Sequence, residues 1–109
     1  MASPFKSVVG ANIGVAPSTL YTVPALKVAT LIDMSCTNIT AAEVKGTVHT
    51  VKGGITARLI KDGPIPVGGS MIVVGAPRKV VLQAGDTLVA TCSIAAGMDV
   101  TASFLEQDA

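Results

Sequence analysis

The feature that most constrains this chain is the regular recurrence of glycine and proline, which interrupts every apolar run before a helical pattern can develop. Between Ile60 and Leu88, three prolines and several glycines separate short runs rich in valine. Breaks every roughly 8 to 12 residues, with β-branched residues between them, are typical of antiparallel sheets. The sequence therefore predicts an all-β chain, an antiparallel β-sandwich of jelly-roll or immunoglobulin-like type with about eight short strands.

The clearest predicted strand runs from Lys27 to Asn38. Successive side chains of a strand point to opposite faces, so alternation predicts that Ile32, Met34 and Cys36 face the core. Leu31 belongs to the opposite set in this interpretation.

A hairpin is predicted from Val44 to Lys61, because Gly53-Gly54 provides a tight turn between two alternating runs. Pro64 and Pro66 cannot donate hydrogen bonds to a sheet, so their segment is predicted at a sheet edge or at a crossing between sheets. Turns are also predicted at Gly75–Pro77 and around Gly85. The last two strands are predicted to direct alternate residues into the core: Leu88, Ala90, Cys92, Met98, Val100, Ala102 and Phe104.

Residues 1–16 alternate poorly and are predicted to form an N-terminal arm outside the core, with residues 17–109 as the single sandwich domain. A segment with weak structure of its own is suited to becoming ordered on contact with a neighbour. The candidate contact residues of the arm are Pro4, Phe5, Val8, Val9 and Ile13.

Charge is scarce in this chain. Charged residues make up 14% of the 109 residues and hydrophobic ones 50%, against about 25% charged in an average soluble domain. Part of the apolar surface is therefore expected to lie against a partner, most simply a second copy of the chain. A net charge of +1 without a basic block, together with 3% aromatic residues, excludes the usual surface of a nucleic-acid binder.

Membrane insertion and export are not expected either. The uncharged stretch from Ser7 to Leu26 contains two prolines and several polar residues, which a membrane helix would not carry. The start of the chain lacks the pattern of a secretory signal. Cys36 and Cys92 then fit reduced core thiols better than a disulfide, although the sequence leaves open whether they are bonded.

No motif indicates catalysis, a cofactor or a metal site. His49 has no cysteine, histidine or acidic cluster at ligand spacing, so it is interpreted as a solvated strand residue. Asp86 adjoins a turn glycine, where a carboxylate accepts a hydrogen bond from local backbone. Asn38-Ile39-Thr40 matches a glycosylation sequon. The chain is not expected to be an enzyme.

Four segments resemble small β-sandwich virion proteins of tailed bacteriophages. That family typically has a Thr-x-Ile/Leu-Tyr-Thr-Val-Pro-Ala-Gly-Lys strand, a long strand ending in Asn, a Pro-Ile-Pro-x-Gly connection and a Leu-x-Ala-Gly-Asp-x-Leu turn. The corresponding segments here are Thr19–Lys27, Asn38, Pro64–Gly68 and Leu82–Leu88. Leu26 departs from the pattern, since it stands where the family usually has glycine.

The resemblance implies a capsid decoration (cement) protein. Such a protein would be made in the host cytoplasm and would bind the major capsid protein on the capsid surface of the virion, as a homotrimer and without a cofactor, nucleic acid or membrane. A neck, tail or baseplate component is the alternative, because similar modules serve there. A carbohydrate-binding adsorption module is less favoured, since sugars usually stack on exposed aromatic side chains and this chain has few.

Overall fold

A computed structural model describes residues 5–74 and 79–108, so Pro4 and the predicted turn at Gly75–Pro77 lie outside the described residues. The described residues form nine strands and no helix, which confirms the all-β prediction. The strands are β1 (Phe5–Ile13), β2 (Ser18–Thr22), β3 (Lys27–Asn38), β4 (Val44–Lys52), β5 (Ile55–Ile65), β6 (Ser70–Val74), β7 (Val80–Gln83), β8 (Thr87–Cys92) and β9 (Met98–Asp108).

The strands are arranged in two antiparallel sheets. Sheet A has the order β1-β9-β3-β6, with β7 also paired to β3, and sheet B has the order β2-β8-β4-β5. The strands pair outwards in sequence from the β4–β5 hairpin. Strand β3 pairs with β6 and β7, β2 pairs with β8, and β1 pairs with β9. A folded ribbon of this kind, wrapped into two sheets, is a jelly roll. Of the two sandwich types predicted, the strand order therefore selects the jelly roll over the immunoglobulin-like fold.

The core lies between the two sheets and is built from the alternating inner residues of the strands. Met98, Val100, Ala102 and Phe104 of β9 are buried, and so are Leu88, Ala90 and Cys92 of β8, as the sequence predicted. Burying a large side chain such as Phe104 stabilises the fold by about 2 to 3 kcal/mol. The inner face therefore follows directly from the period-two pattern.

Strand β3 has the predicted bounds but not the predicted alternation throughout. Its pairing with β9 shifts register between Leu31 and Asp33. Such a bulge inserts one extra residue, so the side chains before it change faces relative to those after it. Leu31 is consequently buried and Ile32 only half-buried, the reverse of the prediction, whereas Met34 and Cys36 face the core as predicted.

The β4–β5 hairpin turns at Gly53 and Gly54, both with positive φ, as predicted. Strand β5 is an edge strand of sheet B and contains Pro64 opposite Lys45, in agreement with the edge placement of that proline. Asp62, at φ 51, coincides with a register shift between β4 and β5. This edge of sheet B is therefore irregular.

The predicted N-terminal arm is corrected from Phe5 onwards. Residues Phe5–Ile13 form β1, which pairs with β9 in regular register from Phe5↔Leu105 to Gly10↔Val100. Only Ile13 of this strand is fully buried, so its outward residues disturb the alternation that sequence reasoning looked for. An edge strand that buries so few of its residues resembles an unpaired arm in sequence, although it is paired in the sheet.

The connection between β2 and β3 crosses from sheet B to sheet A through a tight turn. The Lys27 amide donates to the Pro24 carbonyl over 3.2 Å, which places Leu26 at the third position of the turn. Leu26 has φ 63 and is 80% exposed. A turn that requires positive φ at this position favours glycine, the residue that the phage virion family usually carries there.

Candidate functional site

The outer face of sheet A carries four of the ten large apolar side chains that are exposed among the described residues. Two rows cross this face in register: Phe5, Leu105, Thr30 and Val81, and then Val9, Thr101, Ser35 and Ile72. Each row ends on both sides in a large, solvent-exposed apolar side chain. Their exposures are 63% for Phe5, 61% for Val81, 75% for Val9 and 67% for Ile72.

Few charges interrupt this outer face. Asp33 lies between the two rows, opposite Ser103. Asp99 lies near the start of β9, where its carboxylate accepts a hydrogen bond from the backbone amide of Asn12 over 2.9 Å. The inner positions of the rows are one leucine, Leu105, and otherwise threonine and serine. A sheet face with exposed apolar side chains at both edges and so little charge between them is suited to a protein–protein contact.

The outer face of sheet B has a different composition. His49 lies opposite Arg58 on β5, and Lys45 and Thr47 occupy the same side of β4. The Thr47 hydroxyl accepts a hydrogen bond from the Asp62 amide over 3.0 Å. Val51 and Val89 also lie on this side, but its charged and hydrogen-bonding side chains make the face more polar than that of sheet A.

The predicted contact residues of the N-terminal segment divide between the two sides of β1. Phe5 and Val9 lie on the outer face of sheet A, Val8 is half-buried, and Ile13 is 3% exposed within the core. Ile13 is therefore a core residue and is corrected as a contact residue, while Pro4 lies outside the described residues. The structure places Phe5 and Val9 on the same sheet face as Ile72 and Val81, at its opposite edge; the sequence does not predict this because the four residues are distant along the chain.

Asn38 is a structural residue at one end of the sandwich. Its amide nitrogen donates to the carbonyls of Ile65 (2.9 Å) and Ala42 (2.8 Å), and its amide oxygen accepts from the amide and hydroxyl of Thr40, each over 2.8 Å. Asn38 ends β3 of sheet A and Ile65 ends β5 of sheet B, so this side chain joins the two sheets. The side-chain nitrogen of Asn38 is buried and donates two hydrogen bonds, so it is not accessible for attachment of a glycan in the folded protein.

A second polar cluster joins the sheets at the opposite end of β3. The Tyr21 ring stacks on Phe104 at 4.3 Å, and its hydroxyl donates to the Glu106 carboxylate. Burial and that carboxylate raise the pKa of Tyr21 above its usual value, so the phenol stays protonated. No sequence signal links Tyr21 to Glu106, because the pairing depends on the sheets being stacked.

Lys27 and Asp108 form an exposed ion pair beside this cluster. The ammonium lies 2.5 Å from the carboxylate oxygen of Asp108. The hydrogen bond between these two groups, together with the attraction of their charges, raises the pKa of Lys27 and lowers that of Asp108. An exposed pair of this kind positions the strand ends and contributes little stability.

The remaining reactive side chains are inaccessible or weakly basic. Cys36 and Cys92 are free and buried, as predicted for core thiols. Burial, with the nearby Cys92, raises the pKa of Cys36 to about 12, so its thiol is inert at neutral pH. Partial burial and Arg58 lower the pKa of His49 below its usual value, so this imidazole is mainly neutral at pH 7.

Within residues 5–74 and 79–108, no group of three histidine, cysteine, aspartate or glutamate side chains is placed to hold a metal ion. The same residues include no helix that is long and apolar enough to cross a membrane. Asp86 accepts a hydrogen bond from the Gln83 amide over 2.9 Å, which confirms its predicted role in the turn.

In comparisons with known proteins, no family model, no curated protein and no solved structure matches this chain. The outer face of sheet A is thus identified as the candidate functional site by its geometry and composition.

Proposed function

We propose that this chain is a structural protein of a bacteriophage virion, a capsid decoration protein that binds the assembled capsid lattice through the outer face of sheet A. The role is structural rather than enzymatic. Its proposed partners are further copies of itself, with a homotrimer expected from the resemblance, and the major capsid protein on the capsid surface.

The observation that carries this proposal is the outer face of sheet A. Four large apolar side chains, Phe5, Val9, Ile72 and Val81, are each more than 60% exposed on one continuous face. Leaving such a patch in water favours self-association or aggregation, so a partner surface is expected to cover it. A sheet face with exposed apolar side chains is suited to another protein surface rather than to a small substrate, which needs a concave site.

The points of family resemblance support the proposal because they coincide with turns and junctions that shape the sandwich. The position where the family usually has glycine adopts positive φ in this chain, at Leu26. Asn38 joins the two sheets, and Gly85, at φ 87, turns the chain into β8. The jelly roll itself recurs in viral capsid proteins, although that fold also serves unrelated functions.

The mechanism follows from linkage. A protein that binds the assembled lattice and not its separate subunits stabilises the lattice by its binding free energy at every equivalent position. The contribution of one site can be small, because many copies act together on a single shell.

The proposal is tested by adding the purified protein to expanded particles that lack it and measuring binding and particle stability. We expect saturable binding and a higher temperature of capsid disruption. Quantitative mass spectrometry of complete particles, relative to the major capsid protein, gives the copy number. Hundreds of copies support decoration, a dozen or fewer point to the neck, tail or baseplate, and failure to bind any particle contradicts both.

A further inference from the structure

Asp33 lies in the middle of the outer face of sheet A. It is in register with Ser103 of β9, which is in register with Ser7 of β1, so these residues form a row between the two rows described above. Leu31 and Met34, on either side of Asp33 in β3, both point into the core. The bulge between Leu31 and Asp33 therefore allows the carboxylate to point outward, and bulges often re-aim a side chain in this way.

The fold of a single chain does not account for an aspartate at this position. Aspartate is among the residues that are disfavoured in strands. Asp33 is exposed, and its carboxylate has no ion pair and no hydrogen bond to any residue of the part of the chain that the structure describes. Asp99, the second aspartate of this face, differs because its carboxylate accepts the hydrogen bond from the backbone amide of Asn12. Asp99 thus has a role in the fold that Asp33 lacks.

A partner that covers sheet A would remove water from Asp33, because this side chain is central on the face. The free energy of a carboxylate rises steeply when it is buried without a counter-charge. An opposite charge with good hydrogen-bond geometry is needed to offset that rise. A partner surface that binds this face must therefore bring a cation to Asp33.

Resting on the function proposed above, we propose that the capsid surface covering sheet A presents an arginine side chain to Asp33. A guanidinium donates two parallel hydrogen bonds to a carboxylate and is more weakly hydrated than an ammonium group, so it is the cation better suited to a covered contact. Its remaining N–H groups can donate to hydroxyl oxygens, which Ser103 and Ser7 provide in the same row. The partner is thus defined by its chemistry, as a protein surface with an exposed arginine.

A charge on an exposed strand also opposes aggregation, and either sign of charge serves that purpose. Recognition of an arginine requires a negative charge. Asp33→Lys separates these two roles, because it keeps a charge on the face and reverses its sign.

Binding isotherms on expanded particles test the inference. Asp33→Asn keeps the size of the side chain and removes its charge, and it should weaken binding about 30-fold, since it leaves the partner's guanidinium without a counter-charge. Asp33→Lys should weaken binding about 1,000-fold, because it places two cations together. Asp62→Asn, at the exposed aspartate of sheet B, is the matched control and should bind like the wild type. Circular dichroism checks that the variants are folded, and wild-type affinity of either Asp33 variant would overturn the inference.

Arginine labelling followed by charge exchange identifies the partner group. Phenylglyoxal modifies exposed arginine side chains, and mass spectrometry of bare and coated particles should show at least one arginine of the major capsid protein protected by the coat. Replacing that arginine with aspartate should abolish binding of the wild-type chain, and Asp33→Arg should restore it. Protection of no arginine, or failure of Asp33→Arg to restore binding at any protected position, would contradict the proposed pair.

These outcomes are distinguishable from a failure of the proposed function. A wild-type chain that binds no particle contradicts decoration and the arginine contact together. A wild-type chain that binds, with an Asp33→Asn variant that binds equally well, removes the arginine contact alone and leaves decoration in place.

Discussion

The two outer faces of the sandwich have the same pleated backbone geometry but differ in the polarity of their outward side chains. On sheet A these side chains are mainly apolar or hydroxyl-bearing, with Val9 and Ile72 standing far into solvent. On sheet B they include Lys45, His49 and Arg58. The inner faces of the two sheets do not differ in this way, because both bury aliphatic residues in the same core.

This contrast separates what folding requires from what function requires. A jelly roll is specified by its inward residues and turns, so polar residues would serve the outward positions of either sheet equally well. Sheet B follows that rule and sheet A departs from it. Exposed apolar residues that do not serve the fold of one chain are best explained by a contact with another.

The largest expected effect comes from loosening the junction that holds the two sheets in register. Asn38→Ala leaves the Ile65 and Ala42 carbonyls without their donor, and it should lower the free energy of unfolding by about 3 kcal/mol. Chemical denaturation measures this loss. Thr37→Ala, on the neighbouring exposed position, is the control and should change stability by about 0.5 kcal/mol or less. Equal effects would show that Asn38 is not a special junction.

The contrast between the faces is tested by placing charge on each in turn. Ile72→Glu combined with Val81→Glu should weaken particle binding about 100-fold, because a buried, unpaired carboxylate opposes association. Ile55→Glu, a similarly exposed isoleucine at the hairpin tip of sheet B, is the control and should bind normally. Binding isotherms measured on particles, with circular dichroism as the check on folding, decide the comparison. Equal binding by all variants would remove sheet A as the contact.

A substitution in the turn between β2 and β3 should have a smaller effect, and it should increase stability rather than lower it. Leu26→Gly should stabilise the protein by about 1 kcal/mol, because glycine adopts positive φ without the steric cost that leucine pays there. Leu26→Ala retains a Cβ and should show no such gain. Thermal unfolding of both variants measures the difference, and equal stability of the two would indicate that the turn is not strained.

The smallest expected effect is the pH dependence of stability that arises from His49 on sheet B. The pKa of His49 is lowered in the folded protein from the ordinary value of 6.5, so protonation favours the unfolded chain. Stability should therefore decline as pH falls through 6.5 towards the folded pKa, and His49→Gln should remove that part of the decline. Thermal unfolding between pH 7.5 and about 5 tests this. Identical profiles would place His49 in an environment like that of the unfolded state.

Much of the fold could be predicted from the sequence because it depends on local chemistry. The period-two pattern of β9 and the glycines at the β4–β5 turn act over a few residues, and both were correctly interpreted. The bulge at Ile32 could not be foreseen, because it depends on pairing with β9. Strand β1 was mistaken for an arm because an edge strand buries too little to leave a clear pattern.

The candidate site could be predicted only in part. The scarcity of charge predicts a covered surface, and two of the predicted contact residues, Phe5 and Val9, lie exposed on the outer face of sheet A. Ile72 and Val81 share this face only because of the order of strands in sheet A, which no local pattern encodes. The same reason explains why the Tyr21–Glu106 pair was missed.

Carboxyl labelling of bound and free protein tests the central claim most directly, because each outer face carries one exposed aspartate. Asp33 lies on sheet A and Asp62 on sheet B. We predict that binding to expanded particles protects Asp33 from carbodiimide-coupled labelling, read by mass spectrometry, and leaves Asp62 reactive. Protection of Asp62 with continued labelling of Asp33 would contradict the account, because it would place the contact on the polar face.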